Sequence, residues 1–424
     1  MKKLRSTFSF MRGNILVLTV CNTIYTISWS MTFPYLPLYI LALGGSKTSI
    51  GITNAIGSLA GFLLYPVGGY IADYKGRVKL IGIFTYFYAF THIFLIIAQD
   101  WGMFAIGRFL QQVSLFYWPA FNALMADSIP SSQRGIGFAT AMAIPGAVGI
   151  MGPYIGGYLI DSYGVNFAMR VGYAGGLLVG ILVATIRLKF LKETMRETTY
   201  NISLRNIPLL LKKSYLSVWD SLKWMSWTLW SIAIVGVVTA LFVSIAAPFW
   251  IVYAIEVIGI SEFDWGYLML LIGILRIVVS IPVGHLVDRY GSKRMILIAL
   301  LLAPIPVFLF TFCQTFLRVL AILVIMALVN TIISPAFSTL MTNVIPLKRR
   351  GRLLALLGRG TAITYGGVYV EGFLLFIPVT VGSLIGGYIY EVNPQYPWFL
   401  LTFAIIACLV LSCLFIHEPK KPED

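Results

Sequence analysis

Twelve apolar stretches follow one another along the chain, near 14–42, 49–72, 79–98, 101–125, 136–160, 166–186, 229–255, 265–287, 294–314, 317–341, 372–390 and 396–416. Crossing a bilayer as a helix takes roughly 20 apolar residues, and within hydrocarbon a helix satisfies every backbone polar group inside its own segment. The spacing therefore predicts an all-α membrane protein with twelve transmembrane helices. Composition agrees, since 59% of the 424 residues are hydrophobic and 11% are charged, which is too apolar for a soluble globular chain. The first span is too long for a signal-peptide core and no small-residue cleavage site follows it, so it is expected to stay in place. Cys21, Cys313, Cys408 and Cys413 all lie in apolar runs and read as small core residues rather than a disulfide framework or a metal cluster.

The net charge of +15 invites a nucleic-acid partner, and the positions of the cations exclude one. Threading the spans from a cytoplasmic N-terminus puts nearly all of the 31 Lys and Arg on one side, among them Arg5, Arg12, the stretch Arg187 to Lys223, and Lys348 to Arg352. Lys47, Arg170 and Arg318 fall opposite, while Arg108 and Arg276 lie within spans. Asp100, Asp161, Glu256, Glu262, Asp264 and Glu391 sit on the loops of that opposite side. This is a positive-inside bias with some attraction to anionic lipid heads, and it predicts a multi-pass protein of the cell membrane with both termini cytoplasmic.

One charged turn occurs twice. "GGYIADYKGRVKL" from Gly68 has a relative in "VGHLVDRYGSKRM" from Val283, so that Gly51, Gly69, Asp73 and Gly76 find Gly266, Gly284, Asp288 and Gly291 about 215 residues later. Pro34 and Tyr39 match Pro248 and Tyr253, and "PAFNALMADSIP" from Pro119 matches "PAFSTLMTNVIP" from Pro335, in nearly the same register. The chain therefore reads as two duplicated six-helix units, 1–188 and 229–424, joined by a linker over 189–228. That linker is basic and carries Leu216, Trp219 and Leu222 among polar residues, the pattern of a surface-lying amphipathic segment. "IGGYLI" at Ile155 and "IGGYIY" at Ile385 match only after about fourteen extra residues, which include "GRGTAITYGGVYVEG" and read as a loop or a broken interfacial helix.

Twelve spans with this turn in both halves resemble the major facilitator superfamily. Its signature between helices 2 and 3 is met by Gly69, Ile71, Ala72, Asp73, Gly76, Arg77 and Lys79, with Tyr74 in place of an arginine, and again by Gly284, Leu286, Asp288, Arg289, Gly291 and Arg294. The resemblance implies two pseudo-symmetric six-helix bundles around a central cavity, worked by alternating access. It also implies that Asp73, Arg77 and Asp127 latch the cytoplasmic side. The repeat adds its own argument: Arg77 corresponds to Ser292 and Asp127 to Asn343, so both members of an Arg77–Asp127 pair are replaced together in the second half. Gly69, Gly76, Gly284 and Gly291 let the chain reverse between helix ends, and Asp288 and Arg294 complete the gating set.

Ionisable groups in mid-membrane are costly, which makes Arg276 and Arg108 candidates for a substrate site. Arg276 lies about 18 Å of helix from Asp288 and Arg108 about 10 Å beyond Trp101. "RFLQQ" at Arg108 resembles the family's helix 4 pattern for proton-coupled export with Gln112 replacing a glycine, and "GIMGPYIGG" from Gly149 resembles its antiporter pattern, although close helix packing explains those glycines better. Asn22, Tyr25, Thr26, Trp29 and Phe33 share one face of the first span, where Tyr25 and Trp29 would form an aromatic wall. Gln111, Gln112, Tyr117 and Asn330 are further substrate-binding candidates. Glu371 is the candidate for proton coupling, with helix capping as the competing reading. His92 reads as a core residue and His285 as part of the second turn.

"GGSKTS" at Gly44 lacks the context of a phosphate loop, and three histidines without clustered ligands give no metal site. An enzyme is not expected, nor any cofactor. The expectation is a secondary transporter that can act as a monomer, with a small-molecule substrate, the lipid bilayer and protons as candidate partners. The two arginines point to an organic anion or a carboxylate-bearing metabolite. Multidrug export is the alternative, and a non-transporting receptor or lipid-handling relative a third reading.

Overall fold

The computed structural model describes residues 11–72, 76–130, 133–194, 207–345, 353, 356–358 and 372–416. Asp73 and Glu371 lie outside the described residues. Helices account for the described regular structure, and ten of them are long and apolar enough to cross a membrane. These are α1 (Asn14–Ala42), α3 (Arg77–Ile97), α5 (Ile136–Tyr163, extending back to Arg134), α6 (Val165–Phe190), α7 (Trp227–Ile258), α8 (Glu262–Tyr290), α9 (Ser292–Phe310), α10 (Phe316–Val344), α11 (Phe373–Val392) and α12 (Tyr396–Phe415). Two more lie alongside them, α2 (Lys47–Ala72) and α4, whose halves Trp101–Ser114 and Trp118–Ser128 meet at the 3₁₀ turn Leu115–Tyr117. The chain is an all-α membrane protein whose described residues form these twelve long helices. A connector helix, Ile207–Trp224, stands between α6 and α7.

Local chemistry sets the breaks. In α1, Pro34 and Pro37 cannot donate to the helix ladder, and the chain tightens into a 3₁₀ turn at Phe33–Tyr35. Pro119 does the same for α4. Helix starts carry side-chain caps where loops are short: Asp100 accepts from the Met103 amide at 3.0 Å, and Ser261 from that of Asp264 at 3.0 Å. Large apolar side chains such as Leu178, Leu317 and Phe403 are about 70% exposed, as expected of surfaces whose solvent is lipid.

The duplication is visible in matched contacts. The Tyr39 hydroxyl donates to the Leu95 carbonyl at 3.1 Å, and Tyr253, its counterpart, donates to that of Thr311 at 2.8 Å. Each ties the first helix of its half to the third.

The two halves meet along two seams, α2 with α11 and α5 with α8. At Gly51 a Cβ would collide with the Ser383 carbonyl, and at Gly387 with the backbone of Lys47 and Thr48. At Gly157 it would strike the Glu262 carbonyl, and at Gly266 that of Pro153. Gly51 and Gly266 are repeat partners, as are Gly157 and Gly387. The seams are thus copies of one another, each closed backbone to backbone by the same pair of glycines. Polar ties reinforce them: the Tyr35 hydroxyl, which donates to the Pro153 carbonyl at 2.6 Å within the first half, lies 3.4 Å from the Glu262 carbonyl across the seam, Lys47 pairs with Glu256, and the Glu391 carboxylate accepts from the Thr48 amide at 2.9 Å. These ties lie at the acidic end of the bundle, the end bearing Glu256, Glu262 and Glu391. From there the described seams run to about mid-depth, ending near Gly273 against Ile150 and Phe62 against Phe373.

Candidate functional site

The turn between α2 and α3 is built around the start of α3. Gly76 precedes it without a side-chain cap, and Glu193, from the segment after α6, accepts from the Val78 amide at 3.0 Å. A carboxylate there also faces the positive end of the helix dipole. Arg77 is buried and forms an ion pair with Asp127 at the end of α4, and it donates to the Thr194 hydroxyl at 3.3 Å. One side chain therefore joins α3, α4 and the exit from α6. Gly69 lies in the last turn of α2.

The second turn is assembled differently. Its reversal is at Gly291, whose φ of 85° lies in the region that favours glycine. Gly284 is inside α8 with open space where a Cβ would stand, so it has no part in the reversal itself. Asp288 and Arg294 are exposed, and Arg289 stacks over Tyr290 at 5.5 Å. Ser292, at the position matching Arg77, is buried at the start of α9.

Inside the first bundle two arginines organise the polar residues. Arg108, partly buried, donates to Gln111 at 2.6 Å, and Gln111 reaches His92 at 3.5 Å. His92 packs against Tyr88 with ring centroids 5.3 Å apart, and Tyr88 meets Tyr25 edge-on at 5.6 Å. Trp29 stacks on Phe33 at 4.4 Å along the same face of α1. Gln112 turns away from this chain and fills the space over Gly57 on α2.

Arg187 forms the second centre. It sits in the last turn of α6 at the basic end, where sequence reading places it among the surface cations, yet it is only 3% exposed. Side chains on a helix lean toward its N-terminus, so its guanidinium points back into the bundle. It donates to Thr85 at 2.8 Å, to Tyr117 at 3.2 Å and to Asn22 at 3.0 Å, and lies 5.3 Å from the Phe121 ring. Its Nε has no hydrogen-bond partner. Guanidinium stays charged in proteins, so a full positive charge is held here by neutral acceptors and an aromatic face. Asn22 and Tyr117, expected on the substrate wall, are engaged in holding this charge.

Arg276 is exposed on α8 one helical turn beyond Gly273, where the described α5–α8 seam ends. Asn330 is buried within α10. The glycines of the α5 pattern are packing positions: a Cβ on Gly149 would meet Thr26, on Gly152 Ser30, and on Gly156 the Met31 carbonyl, all on α1. Among the described residues the carboxylates lie toward the ends of the helices, while Arg108 and Arg187 are charges within the first bundle and Arg276 is exposed partway along α8. Arg187, Glu193 and Tyr35 are residues that sequence reasoning missed. In the sequence Pro34 serves only to set the repeat register, and nothing there points to the Tyr35 hydroxyl in the seam.

A sequence model of the Major Facilitator Superfamily matches residues 18–370. An uncharacterised MFS-type transporter of Methanocaldococcus jannaschii is 27% identical, covering 85% of this chain and 91% of the relative. Multidrug resistance protein 2 of Bacillus subtilis is 22% identical, covering 93% and 92%. Among solved structures, a mutant of the nucleoside transporter NupG superposes with a TM-score of 0.68 at 12% identity, covering 95% of this chain and all of that one.

Proposed function

Since the chain belongs to the Major Facilitator Superfamily, and so is a secondary transporter and not an enzyme, we propose that it carries a small organic anion between its two bundles. The observation that carries this reading is the charge inventory above: arginines within the bundle, carboxylates at its ends. A positive site partly shielded from water stabilises an anionic group more than bulk water does. Arg276 and Arg108 would face the cargo's carboxylate, and Tyr25 and Trp29 its apolar body.

The positive-inside bias supports a cytoplasmic basic end with both termini on that side. With the acidic end outside, the conformer described here is closed on the extracellular side. Glu371 is the residue to test for proton coupling.

Multidrug export is the second reading, favoured by the resistance proteins among the relatives and by the aromatic face of α1. Thermal stabilisation of purified protein against organic anions, neutral sugars and lipophilic cations separates the two, repeated with Arg276→Leu. The proposal expects anions to raise the melting temperature and the substitution to weaken their binding about tenfold or more, the loss of a charge-assisted contact. Equal stabilisation of both proteins by lipophilic cations would overturn it in favour of export.

A further inference from the structure

The connector helix docks at a place where α2 lacks a hydrogen bond. In a helix the carbonyl of residue 62 accepts from the amide of residue 66, and residue 66 is proline, which has none to give. The Tyr215 hydroxyl fills that vacancy, donating to the Phe62 carbonyl at 3.2 Å and approaching that of Leu63 at 3.3 Å. Burial raises the Tyr215 phenol above its usual range, which keeps it a donor.

The same ring touches both halves of the molecule. Phe62 of α2 stacks on Phe373 of α11 at 4.9 Å, and Tyr215 stands edge-on to Phe62 at 6.2 Å and to Phe373 at 5.9 Å. Tyr215 therefore has this seat only while the two phenylalanines keep their stack. Any rocking of the bundles that parts α2 from α11 remakes it.

A different stripe of the connector faces outward. Lys212, Leu216, Trp219 and Lys223 recur at helical spacing on one face, and all four are exposed. Lys223 lies 5.8 Å from the Trp219 ring. Trp227 and Trp230, at the start of α7, continue the belt of exposed indoles. Tryptophan at headgroup level with lysine beside it is the chemistry of a helix lying on an anionic leaflet.

We propose that the connector helix is a lipid sensor: anionic phospholipid headgroups, gripped by Lys212, Lys223 and Trp219, hold Tyr215 on the Phe62 carbonyl and so favour the conformer sealed at the acidic end. A ligand shifts a conformational equilibrium only through a difference in affinity between the states. Here the difference arises because the lipid-facing stripe and the seam contact share one short rigid helix. With each surface lysine contributing as basic residues near an anionic membrane do, the shift is on the order of tenfold in the equilibrium constant.

The test uses the full chain in phosphatidylcholine vesicles with and without phosphatidylglycerol. Spin labels at Phe190 and Leu414 report the separation of the bundles at the basic end, and hydrogen exchange over residues 207–224 reports docking of the connector. Phosphatidylglycerol is expected to enlarge the widely separated population, less so at high salt. Lys212→Gln with Lys223→Gln should abolish that response. Tyr215→Phe keeps the ring and removes only the hydroxyl, so the connector should remain protected by phosphatidylglycerol while the bundles no longer respond. No lipid response in the wild-type chain, or a full response in either variant, would overturn the proposal.

Discussion

Replacing Gly51 by alanine tests whether the duplicated glycines set the conformational balance. The new methyl group would fall on the Ser383 carbonyl, with the Ser383 carbonyl carbon at 3.3 Å and the Gly387 amide nitrogen at 3.4 Å behind it. All three are backbone atoms of α11, so no side chain can rotate out of the way and the seam itself must part. Overpacking of this kind costs about 1–3 kcal/mol. Alanine also favours helix over glycine by up to about 1 kcal/mol, but α2 is helical in both conformers and that gain cancels from the balance between them. The whole penalty therefore falls on the conformer sealed at the acidic end, shifting the equilibrium about 5- to 150-fold away from it. Spin labels at Asp161 on α5 and Tyr396 on α12 straddle the two bundles at that end and would report a growing long-distance population. Gly266→Ala, the repeat partner in the other seam, should act in the same direction. Gly284→Ala is the control, because open space surrounds the site. A Gly51→Ala distribution indistinguishable from that of Gly284→Ala would refute the reasoning.

Two further outcomes are expected. Asp127→Asn removes the partner of Arg77; with Asp127 45% exposed the pair contributes up to about 1 kcal/mol, and because it is formed in the conformer sealed at the acidic end, that population should fall by up to about fivefold, read as slower alkylation of a cysteine placed between the bundles on the basic side, whereas faster alkylation would show a latch that holds the basic end shut. Arg187→Met takes the donor from Thr85, Tyr117 and Asn22, and a buried polar group left unpaired costs about 1–3 kcal/mol; the melting temperature should fall, while uptake of a stabilising anion per folded protein in vesicles falls tenfold or more, and uptake at the wild-type rate would leave Arg187 a structural clamp.

The crossings were legible because the bilayer imposes a length and an apolarity that every helix must meet on its own. Most expected spans agree with α1 to α12 to within a few residues. The breaks at Pro34 and Pro119 follow from a missing donor, although the expected spans 14–42 and 101–125 run through both. Arg187 was not legible. Its partners Thr85, Tyr117 and Asn22 are 102, 70 and 165 residues away, and no local pattern announces that a cation in the last turn of a helix will point inward. Glu193, which completes the start of α3 from beyond α6, is hidden for the same reason.

The repeat was legible as a register but not as a mechanism. Its conserved register joins Gly51 to Gly266 and Gly157 to Gly387, and only the packing reveals that these four are the points where one half touches the other. Whatever both seams need was kept in both copies. Arg77 and Asp127, by contrast, became Ser292 and Asn343 together, and Ser292 is buried where an arginine would need a partner. The second bundle instead presents Phe373 to Phe62 and Tyr215. The two halves therefore share the contacts that seal the acidic end and differ beyond them: an ion pair within the first bundle at its basic end, and, where the described α2–α11 seam ends, an aromatic seat between the bundles occupied by the connector. Two contacts of different chemistry on the basic side can be shifted separately, one by charge at Asp127 and the other by the surface on which the connector lies.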